Sequence, residues 1–177
     1  MAKSKWALDK SHSSVDFTVR HMMFAKVNGT FKEFNAEIEA DPEDLTTASI
    51  SFEVDTASID TRNGDRDAHL RSADFFDSEN HPKMTFKATK IVKTGDGTYD
   101  ITGDLTIRGT TRSETFKVEY NGSGKDPWGN EKVGFSVEGK INRTDYGLKW
   151  NAPLEAGGVL VGDEVKISLD IQAAKQA

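Results

Sequence analysis

Along most of the chain apolar and polar residues alternate with a period of two, the pattern of a strand with one dry and one wet face. Trp6 and Leu8 open the series. From Ser13 to Arg20, Val15, Phe17 and Val19 fall on one face against Asp16, Thr18 and Arg20 on the other, which predicts a half-buried strand. His21 to Val27 reads as a short turn or helical corner, and Asn28-Gly29 as a turn signal. Thr30 to Asp41 carries Phe34, Ala36, Ile38 and Ala40 in one phase, while Phe31 falls outside it and predicts a bulge near Lys32 or Glu33. Residues 41–45 read as a loop, and Ala48 to Asp55 alternates through Ile50, Phe52 and Val54.

The alternation stops at Asp60 and resumes at Met84, Phe86 and Ala88. Gly95-Asp96-Gly97 then predicts a hairpin turn into the strand of Tyr99, Ile101, Leu105 and Ile107. A turn at residues 108–113 leads to Phe116, Val118 and Tyr120, followed by a loop over 121–130. Val133, Phe135, Val137 and Ile141 mark a further strand, bent at Gly139 where an apolar residue would keep the phase. Residues 142–150 break the pattern with a helical look that seals one end, and 151–158 read as loop. Gly162-Asp163 precedes a last strand with Val165, Ile167, Leu169 and Ile171, and the tail from Ala173 is expected to fray.

The interruption between strands has its own order. Asn63 is placed to cap a short helix, with Asp65 and Asp67 in its first turn and Arg71 near its end, where a cation suits the helix dipole. Ser72 and Asp74 start another turn, and His81 before Pro82 leads into extended chain. The segment reads as a helical lid, about 60–82, docked through Leu70, Phe75 and Phe76.

About eight alternating strands joined by short turns predict an all-β fold, a closed antiparallel eight-stranded barrel in one domain spanning residues 1–177, with a two-sheet sandwich as the structural alternative. A barrel of this size either fills with side chains or holds one small ligand. Aromatic usage bears on that choice. Phe outnumbers Trp and Tyr, with 10 residues against three of each, and Phe17, Phe34, Phe52, Phe86, Phe116 and Phe135 lie on apolar strand faces. Phe has no polar handle, so a space lined by it suits hydrocarbon.

At 177 residues the chain can bury a full core without staples, and it has no cysteine for thiol chemistry or Cys-ligated zinc. A net charge of -6 argues against a nucleic-acid partner. No apolar run is long enough for a transmembrane helix, and the start shows no export signal, so a cytoplasmic location is expected, or a periplasmic one if a signal has been removed. A homodimer stays open.

Candidate chemistry is sparse. His12, His21, His69 and His81 show no metal-ligand spacing, and no nucleotide loop or nucleophile elbow occurs, so neither metal nor cofactor is expected. Arg62, Arg66 and Arg71 sit among Asp60, Asp65, Asp67, Asp74 and Asp77, where internal pairing that clamps the lid is favoured over anion binding. His21 with Asp16 would be the starting point for an enzyme on this barrel, and a ligand-free, solidly packed barrel is the other alternative.

The strings WALDKSHSSVDFTVRH and Gly29 to Phe31, then NGDRDAHLRSADFFD with HPKMTF, and lastly NRTDYG, occur in order over nearly the whole chain. Together they resemble the YceI-like family. That resemblance implies a lipocalin-like barrel with a long apolar cavity and an isoprenoid ligand, a quinone or polyprenyl phosphate, bound without catalysis for transport or storage. The apolar contacts expected are Phe17, Val19, Phe34, Ile38, Phe52, Phe86, Leu105, Phe116 and Phe135, with the head group near His21, Arg71 and Tyr146, and His12 and Arg62 as further candidates.

Overall fold

The computed structural model describes residues 3–22, 24–152, 154 and 160–176. Eleven strands follow in chain order: β1 (Ser4–Leu8), β2 (Ser14–His21), β3 (Ala25–Phe31), β4 (Phe34–Asp41), β5 (Asp44–Asp55), β6 (Ile59–Asp60), β7 (Lys83–Gly95), β8 (Thr98–Ile107), β9 (Thr110–Lys125), β10 (Glu131–Asn142) and β11 (Val161–Lys175). Among the described residues one α-helix, α1 (Gly64–Arg71), lies between β6 and β7.

All pairings are antiparallel, and the sheet closes because β11 pairs both β1 and β2. Three walls are each broken into two strands, β1 with β2, β3 with β4 and β5 with β6, so the eleven strands form the eight staves of a closed barrel. The breaks have local causes. Asp9 accepts the Ser11 amide and sets a 3-10 turn over Lys10–His12, while Lys132 from β10 reaches its carboxylate at 2.8 Å. At the second break Lys32 N donates to Ser58 O and Asp55 N to Glu33 O, which ties it to the third, a 3-10 turn over Thr56–Ser58. Phe31 and Phe34 are both buried on either side of the second break, so the phase change read from the sequence is a strand break between partners rather than a bulge within one ladder.

Several boundaries differ from the sequence reading, and each difference has a physical reason. Asn28-Gly29 is no turn; it lies inside β3, and the chain reverses between His21 and Ala25 instead. Gly29 is opposite Phe17, whose ring lies where a side chain would go: a Cβ there would stand 2.2 Å from Phe17 Cζ. The glycine serves close packing. Residues 121–125, expected as loop, continue β9 against β10 past a register shift at Asn121, and the loop shrinks to 126–130. The tail does not fray at Ala173, because Ala173 to Lys175 pair with β1. β5 begins at Asp44 and β11 at Val161, each earlier than its alternation suggests. The loop expected at 151–158 lies mostly outside the described residues.

Gly139 shows the same device as Gly29. A Cβ there would meet Phe116 Cδ1 at 2.1 Å, so the Phe116 ring occupies the place of a side chain on the inner wall. Gly139→Ala is expected to cost about 1–3 kcal/mol by overpacking. Urea denaturation checks it: combining the change with Phe116→Leu should recover part of the loss, and strict additivity would contradict the close packing.

The insertion lies over one end of the barrel, held by its own chemistry. Asn63 Oδ1 accepts the Arg66 amide at 3.1 Å and caps α1. Phe75 is buried in the main core cluster, with Leu70 and Phe76 packed against it. Thr56, 1% exposed, anchors the far side through its hydroxyl, which lies within hydrogen-bond distance of Ser78 Oγ, His81 O and Pro82 O.

Candidate functional site

The inward side chains of the barrel do not meet at its axis. They enclose a cavity of about 700 Å³ that runs from Trp6, Tyr99 and Val133 at one end to α1, Trp150 and Val161 at the other. A solidly packed barrel is thereby excluded. The alternation that makes the strands also makes this wall: on β11 Val165, Ile167, Leu169 and Ile171 face in, while Lys166, Ser168 and Asp170 fall on the outer face. These inward residues are only half-buried, because their free surface is the cavity's own.

Polar groups gather at the end covered by the insertion, hereafter the mouth. Arg20 and His21 come from β2, Thr61, Asn63, Asp65, Arg66 and His69 from the insertion, and Arg143 from the segment after β10. Most of their hydrogen-bonding capacity is already engaged within the protein. Asp67 accepts the Thr61 amide at 2.9 Å and its hydroxyl at 2.5 Å, and Arg66 donates to the Thr61 hydroxyl and carbonyl at 2.7 and 2.6 Å. Arg66 and Asp67 thus meet Thr61 rather than each other, and among the described residues none of Arg62, Arg66 and Arg71 forms the expected ion pair with a lid carboxylate; Asp60 pairs with Lys32 instead, and Asp74 with His69. His69 stands edge-on to Phe75 and Trp150, with ring centroids 5.0 and 4.6 Å away, and its Nε2 lies 2.9 Å from Asp74 Oδ2.

Arg143 is the main polar anchor at this end. It follows Asn142, whose side chain caps a 3-10 turn over Arg143–Tyr146 that Gly147 ends in the left-handed conformation at φ 83°. The guanidinium is 5% exposed and donates to four carbonyls: Gly162 O at 2.8 Å, Leu148 O at 2.6 Å, Trp150 O at 3.1 Å and Val161 O at 3.2 Å. It sits 5.9 Å over the Phe75 ring. Burial pulls its pKa below the ordinary guanidinium value, opposed by Asp163 at 3.8 Å. The side chain stitches the chain leaving β10 to the chain entering β11.

Of the contacts expected from sequence, Phe17, Val19, Ile38, Phe52, Phe86, Leu105, Phe116, Phe135 and His21 line the cavity. Three do not. Phe34 is buried with Val15, Phe31, Val54 and Ile59 and stacks on Phe52 at 6.0 Å, filling wall rather than lumen. Tyr146 is fully buried and its hydroxyl donates to Glu114 Oε2 at 2.5 Å; burial and then this hydrogen bond push the phenol well above its ordinary range, so it stays protonated. Arg71 ends α1 away from the lining. Among the further candidates, His12 pairs with Asp9 on the exposed kink, and Arg62 is exposed with φ 65°. Asp16 and His21 are five positions apart on β2, and although both border the cavity, no hydrogen bond or ion pair joins them among the described residues.

Sequence reading passed over Arg143 and Trp150 as site residues, and weighed His69 for metal or catalysis but not as part of the cavity mouth. The signal for Arg143 was local: a cation inside a capped turn, between an N-cap asparagine and a C-terminal glycine. Among the described residues no group of three or more His, Asp or Glu is placed to hold a metal, and no helix is long and apolar enough to cross a membrane.

Comparison with known proteins agrees with this architecture. The YceI-like domain matches residues 6–173. UPF0312 protein SERP2314 of Staphylococcus epidermidis is 44% identical over 164 residues, covering 92% of this chain and 93% of that protein. The crystal structure of Burkholderia cenocepacia BcnA superposes with a TM-score of 0.82 at 25% identity, covering 93% of this chain and 98% of that one. A polyisoprenoid binding domain from Saccharophagus degradans, implicated in plant cell wall breakdown, has the same fold at a TM-score of 0.73, with 12% identity and 98% and 99% of the two chains covered.

Proposed function

We propose that this chain, which belongs to the YceI-like family, binds an amphiphilic isoprenoid in its barrel cavity and serves as that lipid's carrier or store. The observation that carries the reading is the cavity itself, about 700 Å³, lined mostly by apolar side chains and with most of its polar groups at the mouth. That volume lies within the range of small-molecule sites. Each CH₂ taken from water contributes about 0.8 kcal/mol, so a few five-carbon units offset the entropy of fixing a flexible tail. The asymmetry suits an amphiphile: tail toward Trp6 and Val133, head group toward His21 and His69. An isoprenoid quinone or a polyprenyl phosphate has that form, and the Saccharophagus protein of the same fold is described as binding polyisoprenoids.

Native mass spectrometry of gently purified protein tests the reading. The expected result is a discrete added mass that organic extraction removes and identifies as an isoprenoid. A clean mass, unchanged after incubation with a short-chain isoprenoid quinone and with a polyprenyl phosphate, would overturn it.

A further inference from the structure

The β2–β3 turn borders the mouth. Arg20, His21 and Val27 on its arms and Leu160 and Val161 beside it all line the cavity. Its tip is apolar and faces water: Phe24 is 78% exposed and Met22 39%, and the sequence across it reads Met22-Met23-Phe24. The residues flanking it are held in place. The β2–β3 ladder runs up to His21 and Ala25, and Met22 N donates to Leu160 O at 2.8 Å.

A second observation points the same way. Arg20 and Lys26 are direct cross-strand partners, both exposed, one step below the last pair of the hairpin. Like charges so placed repel, and among the described residues neither forms an ion pair. Two uncompensated cations beneath an apolar tip complement a bilayer surface, where phosphates lie above hydrocarbon.

We propose that the β2–β3 turn docks the protein on a phospholipid bilayer, with Phe24 and Met22 entering the interface while Arg20 and Lys26 meet lipid phosphates. Docking this way sets the cavity mouth against the membrane, so that an isoprenoid tail passes between bilayer and barrel without crossing water. The inference rests on the ligand reading above, and the test separates the two.

The full chain is floated with vesicles of mixed phosphatidylcholine and phosphatidylglycerol, and loading of the cavity is followed separately with a fluorescent short-chain isoprenoid in vesicle-free buffer. Wild type is expected to float with the vesicles, less so at high salt. Phe24→Ser should weaken vesicle partition about tenfold, the equivalent of 1.4 kcal/mol, and Lys26→Gln, a residue outside the cavity lining, should lessen the salt dependence, both with loading intact. Trp128 is the control, being 83% exposed in the β9–β10 loop at the opposite end. Trp128→Ser should leave partition unchanged. Wild type that loads the probe but ignores vesicles overturns docking and leaves the ligand reading standing; so does Phe24→Ser that floats like wild type, or concentration-dependent dimerisation that Phe24→Ser abolishes in vesicle-free buffer. Wild type that floats but does not load counts against the ligand reading alone.

Discussion

Arg143→Met is expected to lower the stability of the folded protein by about 3–5 kcal/mol, because methionine keeps the apolar stem but leaves four inward carbonyls without their donor. For a chain of this size that corresponds to a fall in Tm on the order of 10 °C. Arg143→Lys should recover only a small part. An ammonium is a single point of charge and cannot reach Leu148 and Trp150 on one side together with Val161 and Gly162 on the other. Urea titration decides the matter: a midpoint that moves at constant slope reports the lost clamp. A loss below about 1 kcal/mol would show that water replaces the guanidinium freely.

Phe52→Asp is expected to reduce retention of a bound isoprenoid on the order of a hundredfold while the barrel still folds. Phe52 is half-buried on β5, opposite Ala36 and Phe86, and lines the cavity. A carboxyl group there keeps water beside it, and an incoming tail must strip that water without replacing its hydrogen bonds. Phe52→Leu, which keeps the wall apolar, should retain the ligand. Val137→Asp on the opposing β10 face guards against a purely local effect, since Val137 lines the same cavity without stacking on Phe34. Extraction and quantitation of the lipid from each folded variant is the measurement. Wild-type retention in both aspartate variants would place the ligand elsewhere.

How far the molecule was legible in its sequence follows from the range of the interactions that shape it. β2, β5, β10 and β11 announce themselves because a barrel wall has two unlike faces, and each residue answers only to its own side. The helix cap at Asn63 was legible for a related reason: its partner is three residues away. Asn28-Gly29 misled because Gly29 answers to the Phe17 ring on the adjacent strand, not to a turn. The three strand breaks were largely hidden, since pairing across the closed sheet sets them. Arg143 escaped for the same reason: its carbonyl partners extend to residues 18 and 19 positions away. Phe34 and Tyr146 show a further limit, because alternation identifies the dry face but not whether a side chain fills the wall or borders empty space.

The closure of the sheet bears on how the chain comes to fold. The seam joins β11 to β1 and β2, so Trp6 must find Lys175 and Val15 must find Leu169, strands separated by nearly the whole barrel sequence. Every other neighbouring stave is also a neighbour in sequence. A ribosome delivers the staves one after another, and until β11 has emerged the nascent protein is an open gutter whose oily lining faces water or a chaperone. The vessel comes into being in its last step, and the speed of that step sets how long the lining is at risk of sticking to other chains.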